Sequence, residues 1–180
     1  MTMHIGGMGR LGIVTIYRDN RDTWSLRTGR LLTLDRRRAY FVHYGLPTIA
    51  AAAAWVFDLR LAAASDLLPA VAVFTALLFA LLGLAFNTGV SIQRDRGSRA
   101  NATAVLRVIA DLRANVTYAI VIAFALAVAL LLAASFDDLS NGVSASWAPI
   151  AVWLFVHLGL SLGLVLKRFR TAFNAITRLN

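Results

Sequence analysis

From Ala114 to Phe136 the chain carries no charged residue, and that stretch limits what it can become. At about 1.5 Å of rise per helical residue it is long enough to cross a hydrocarbon core of ~30 Å. Its body, Ala119 to Ala134, contains only Ala, Ile, Val, Leu and Phe, so no face is reserved for water. Asn115-Val116-Thr117-Tyr118 opens it with the polar and aromatic groups that suit a membrane interface. Arg113 precedes it and Asp137-Asp138 follow. Such a stretch is a transmembrane helix.

Three further charge-poor runs match it: residues 39–57, 69–91 and 147–166. The chain is 59% hydrophobic, too apolar for an ordinary soluble domain. The expected fold is all-α, a four-transmembrane-helix bundle spanning residues 39–166. Residues 1–38 form a basic N-terminal segment, 92–113 a cytoplasmic linker, and 167–180 a basic amphipathic tail. Within the linker Val105, Ile109 and Leu112 share one helical face and nothing breaks the pattern before Asn115. The third span is therefore expected to extend into the cytoplasm as one rod.

Local signals refine this layout. Gly45 and Pro47 interrupt the start of span one, and Leu46 is biased away from the α region by the proline after it. This predicts an elbow, with a surface helix up to Tyr44 and a membrane helix from Pro47. Asp66 is a candidate N-cap for span two, with Pro69 in the first turn. Lys167-Arg168-Phe169-Arg170 is expected to stop span four. Leu11 to Arg27 reads as a small hairpin around Asp19-Asn20, or else the segment is interfacial and amphipathic, with Trp24, Leu26, Leu31, Leu32 and Leu34 dipping into headgroups beside their arginines.

The net charge of +9 matters less than where the bases lie. Of eighteen Lys and Arg, eight precede span one, five lie between spans two and three, and four follow span four, leaving Arg60 alone for the other loops. The positive-inside rule then places both termini in the cytoplasm. Met1 to Arg10 lacks the apolar core of a cleaved signal peptide, so an internal span is expected to direct insertion. The expected location is the cytoplasmic (inner) membrane of a bacterium or archaeon.

Candidate functional groups are few. His157 lies mid-span, where an ionisable group is a site by default. No Asp or Glu lies at its depth to complete a proton relay. A neutral imidazole bonded to a neighbouring helix, or to Ser161 one turn on, is the favoured reading. Asn87 and Asn115 lie near the inner interface of adjacent spans and are expected to bond each other. Gly159 and Gly163 form a G-x-x-x-G with Ser161 between them, which permits close approach of a helix from this chain or a second copy. Arg36, Arg37, Arg38, Arg94, Arg96, Arg99, Lys167, Arg168 and Arg170 are expected to meet anionic lipid phosphate or a cytoplasmic partner. Aromatic interleaving among them is thin, so no direct nucleic-acid binding is expected. His4 and His43 are isolated and there is no Cys, which leaves no metal site to expect. No cofactor motif or nucleophile motif occurs, so an enzyme is not expected.

Three stretches carry a resemblance: Ala76-Leu77-Leu78-Phe79, Arg113-Ala114-Asn115-Val116-Thr117-Tyr118 and Val165-Leu166-Lys167-Arg168. The chain resembles a loose group of short four-span membrane proteins from prokaryotic anti-phage defence loci. That resemblance implies a membrane subunit working with a cytoplasmic partner, as a sensor or as a membrane-perturbing effector. It transfers no catalytic residues and does not reach the first 38 residues. The expected function is thus a non-enzymatic, self-associating inner-membrane subunit. A small transporter or channel with a site at His157, and an anchor for a soluble enzyme, are the alternatives.

Overall fold

A computed structural model describes residues 12–23, 38, 40–61, 64–94, 102–136, 143–144 and 146–177. The first helix, α1, covers Ile13–Thr23. A π-helical turn at Phe41–Gly45 leads into α2, Leu46–Val56. Then come three long helices: α3 (Ala64–Arg94), α4 (Ala102–Phe136) and α5 (Ala148–Thr177). All three are long and apolar enough to cross a membrane, which is the architecture of an integral membrane protein. Phe41–Val56 is a shorter apolar helix. Among the described residues there is no strand, only an isolated antiparallel bridge between Leu61 and Val143. Its two N–H···O bonds, 3.3 and 3.2 Å, tie the segment after α2 to the one before α5.

Helix α4 is the centre. Its buried aliphatic positions are Val105, Ile109, Leu112, Val116, Ala119, Ala123, Leu126, Leu130 and Ala133, alternating steps of four and three. That is a heptad seam, the pattern that keeps one face turned to its neighbours in left-handed packing. On α3 the buried residues Val71, Leu78, Ala85 and Ile92 recur every seventh position, as do Ala151, Leu158 and Val165 on α5. Fully buried Ala119 and Ala123 keep the seam thin where α4 packs between α3 and α5.

Several expectations change. The elements pack in the order α3–α4–α5–α2, with no contact between α2 and α3 among the described residues, so the bundle does not close on itself. The rod expected for the third span is present as α4, 35 residues or about 52 Å long. It does not extend alone, because α3 runs on to Arg94 and buries Ile92 with Val105 and Ile109. The extension is therefore a two-helix stem.

At the start of α2 the backbone does not bend out of helix. Gly45 and Leu46 both keep right-handed helical angles, and a π-turn, closed by Leu46 N–H to Phe41 C=O, absorbs the proline instead. Helix α5 continues through Lys167–Arg170, since side-chain charge ends a membrane segment without ending a helix. Residues 13–23 form a helix rather than a hairpin; the hairpin's remaining residues, 24–27, and Leu31, Leu32 and Leu34 of the amphipathic reading lie outside the described ones. Asp66 sits inside the first turn of α3, two residues past its start.

The end of α2 shows how local chemistry terminates an element. Asp58 takes φ 50°, the left-handed region. Its N–H reaches Trp55 C=O at 3.2 Å and Leu59 N–H reaches Ala54 C=O at 2.9 Å. That is a Schellman cap, with an aspartate in the place glycine usually holds.

Candidate functional site

Proline 47 has no N–H. The His43 carbonyl, four residues earlier, therefore lacks the donor that an α-helix would give it. His157 supplies one from α5, with Nδ1 2.7 Å from that carbonyl oxygen. A carbonyl only accepts, so Nδ1 carries the proton and, in the neutral ring, Nε2 carries the lone pair. The Tyr118 hydroxyl, 2.8 Å away on α4, then donates to Nε2. The imidazole is fully buried, and Ser161 closes the back of the turn by donating to the His157 carbonyl at 2.9 Å.

Aromatic rings wall this bond pair. The Trp153 ring stacks on His157 at 4.9 Å and 13°, Tyr44 lies 5.4 Å away, and the His43 ring meets it edge-on at 6.2 Å. Trp153 Nε1–H donates to Thr48 Oγ1 at 3.3 Å, and Thr48 donates to the Tyr44 carbonyl at 2.7 Å. The Tyr44 hydroxyl interacts with those of Tyr17 and Tyr118. One polar cluster thus joins α1, the π-turn, α4 and α5. Both ring nitrogens of His157 are bonded to protein, which leaves neither for a ligand. The cluster's chemistry is to satisfy a carbonyl that a proline orphaned inside an apolar layer.

The other expected sites divide. Gly159 and Gly163 face outward, and a Cβ on either would meet nothing within 4 Å. Neither is in a close helix crossing among the described residues. Ser161 points the opposite way, into the core, so the three do not act as one motif. Asn87 is exposed on α3 and does not pair with Asn115. The amide of Asn115, buried on α4, meets Thr23 Oγ1 of α1 at 2.9 Å, while Thr23 also donates to the Asn20 carbonyl at 2.6 Å. A hydroxyl has one proton, so the arrangement that satisfies both contacts has the Asn115 amide NH₂ donating to Thr23.

Among the arginines, Arg38, Arg94, Lys167 and Arg170 are exposed, whereas Arg36, Arg37, Arg96 and Arg99 lie outside the described residues. Arg168 differs from all of these. Its guanidinium donates to the Thr23 carbonyl and lies 3.7 Å from the Asp111 carboxylate. No cluster of metal-ligating side chains occurs among the described residues. No family model, curated protein or solved structure matches this chain.

Sequence reading found His157 but not its partners. The signal was present as Pro47, which dictates an orphan carbonyl at His43. The role of α1 had no comparable signal, because its contacts are single polar groups ninety residues or more away in sequence.

Proposed function

We propose that this chain is a non-enzymatic integral membrane subunit that self-associates through the outer face of α5 and serves a prokaryotic anti-phage defence assembly. The observation that carries self-association is the open Gly159–Gly163 face. Lipid provides no hydrophobic drive between helices, so small residues that admit a close backbone are what a membrane contact uses. The likeness of residues 76–79, 113–118 and 165–168 to short four-span defence proteins supports the biological setting.

In this reading the π-turn and α2 form a fourth crossing, with both termini cytoplasmic. Helix α1 lies with Asp111 and Arg168 at one end of the α4–α5 pair, and Trp55 of α2 lies with Ser146 and Pro149 at the other. The bases concentrate at the first end. The wide exposed aromatic surface of Trp55, Phe57 and Phe136 at the second suits an interfacial belt. Transport through His157 is the weaker reading, since neither ring nitrogen is open to a ligand.

Gly159→Ile combined with Gly163→Ile tests the proposal. A Cβ at either position meets nothing within 4 Å, so insertion and abundance should stay within twofold of wild type. The detergent-solubilised particle should become smaller, and protection against phage, measured by plating efficiency with the neighbouring genes present, should be lost. A double variant of unchanged size and undiminished protection contradicts the proposal.

A further inference from the structure

Helix α1 is held to the membrane helices by polar contacts at its C-terminal end. The Thr23 side chain meets Asn115, and the Thr23 carbonyl accepts from Arg168, which also faces Asp111. Closer to its start, Tyr17 places its ring 6.4 Å from that of Tyr118. This clasp is not fully satisfied. One of the two polar atoms of the Asn115 amide is buried with no partner among the described residues, although the residue is only 2% exposed. A buried polar atom left unpaired is a penalty that exposure to water removes. The Arg168–Asp111 pair is long and both side chains remain partly exposed, which makes it a weak ion pair.

Arg168 lies two residues past Leu166, where a charge-free stretch ends, and stands between exposed Lys167 and Arg170. At that height lipid phosphates lie within reach of a guanidinium, and the planar fork that donates to a carbonyl and a carboxylate also fits a phosphate. The pull of an anionic leaflet on one arginine is comparable to a weak, half-exposed ion pair. We propose that Arg168 is a two-way switch: it holds α1 closed through Thr23 and Asp111, and an anionic phospholipid headgroup competes for the same guanidinium and releases α1. Release frees the outer face of Tyr118 and α1 while leaving the α3–α4–α5 core intact. This inference rests on the membrane reading of α5 but not on the defence setting or on oligomerisation.

Hydrogen–deuterium exchange of the full chain in lipid nanodiscs reads the α1 amides directly. With phosphatidylcholine the amides of residues 16–23 should be protected. With phosphatidylglycerol they should exchange at least tenfold faster, while the α4 amides from Val116 to Leu130 stay protected in both lipids. Arg168→Gln should exchange fast in either lipid, and Asp111→Asn should lie between. Inorganic phosphate added to phosphatidylcholine discs should change nothing. Equal exchange in the two lipids, or an Arg168→Gln chain that stays protected, overturns the switch. Acceleration by inorganic phosphate to the level of the anionic lipid overturns the lipid as its ligand. Loss of α4 protection in phosphatidylglycerol overturns the confinement of the change to α1.

Discussion

His157→Phe should sharply reduce the folded, membrane-inserted protein, and Pro47→Ala in the same chain should restore part of it. Phenylalanine fills the ring's volume between Trp153 and Tyr44 but leaves the His43 carbonyl without the donor His157 gave it, while the Tyr118 hydroxyl loses its ring acceptor and keeps only the Tyr44 hydroxyl. An orphaned group costs about 1–3 kcal/mol in a buried site. Membrane values fall to the lower end, because the unfolded chain in lipid also finds partners. A net loss of ~2 kcal/mol is expected, which is about a thirtyfold shift in the folding equilibrium. Alanine at 47 returns an N–H one turn beyond His43, so that carbonyl regains a donor without any histidine. The readout is the midpoint of steric-trap or denaturant unfolding in detergent. Additive losses for Pro47→Ala and His157→Phe, with no rescue, would disprove the assigned bond.

The second large effect is steric. Ala123 is fully buried on the α4 seam, one step from Ala119 in the same four-three pattern. Leucine there inserts three extra carbons where α4 packs between α3 and α5. Overpacking of this kind costs about 1–3 kcal/mol and more where helices cannot part. Ala123→Leu should therefore lower the unfolding midpoint and the amount of inserted protein. Gly83→Leu on the open side of α3 should change neither, since a Cβ there meets nothing within 4 Å. The contrast separates loss of packing from any general intolerance of larger side chains in lipid.

These two sites also show what was legible beforehand. The apolar stretches announced four spans, and three of them are membrane-length helices, since length and absence of charge are sufficient for that reading. The stem half of the α4 seam was readable too, because Val105, Ile109 and Leu112 stand out among charged neighbours. From Ala119 to Ala134 the seam is invisible: every position is apolar, whether it faces α3, α5 or lipid. Gly159 and Gly163 could be noticed but not placed, since the same small residues serve packing within a chain and between chains.

The packing order α3–α4–α5–α2 was hidden for a different reason. Short connections imply adjacency, yet α2 and α3 are consecutive and do not touch among the described residues. What anchors α2 on α5 instead is the His43–His157 bond and the Thr48–Trp153 bond, each joining residues more than a hundred positions apart. Pattern within a window cannot see such pairs. Proline chemistry does expose one half of one of them.

The most direct test of the architecture is whether the π-turn and α2 make a true fourth crossing. The chain has no cysteine, so single cysteines at Thr15, Asp58, Gln93, Ser146 and Thr171, all exposed, can be labelled in intact cells by a membrane-impermeant maleimide. The account predicts labelling at Asp58 and Ser146, and labelling at Thr15, Gln93 and Thr171 only after the cells are permeabilised. Labelling of Thr15 in intact cells while Gln93 and Thr171 stay protected would mean that α2 does not cross, and the four-span account would be wrong.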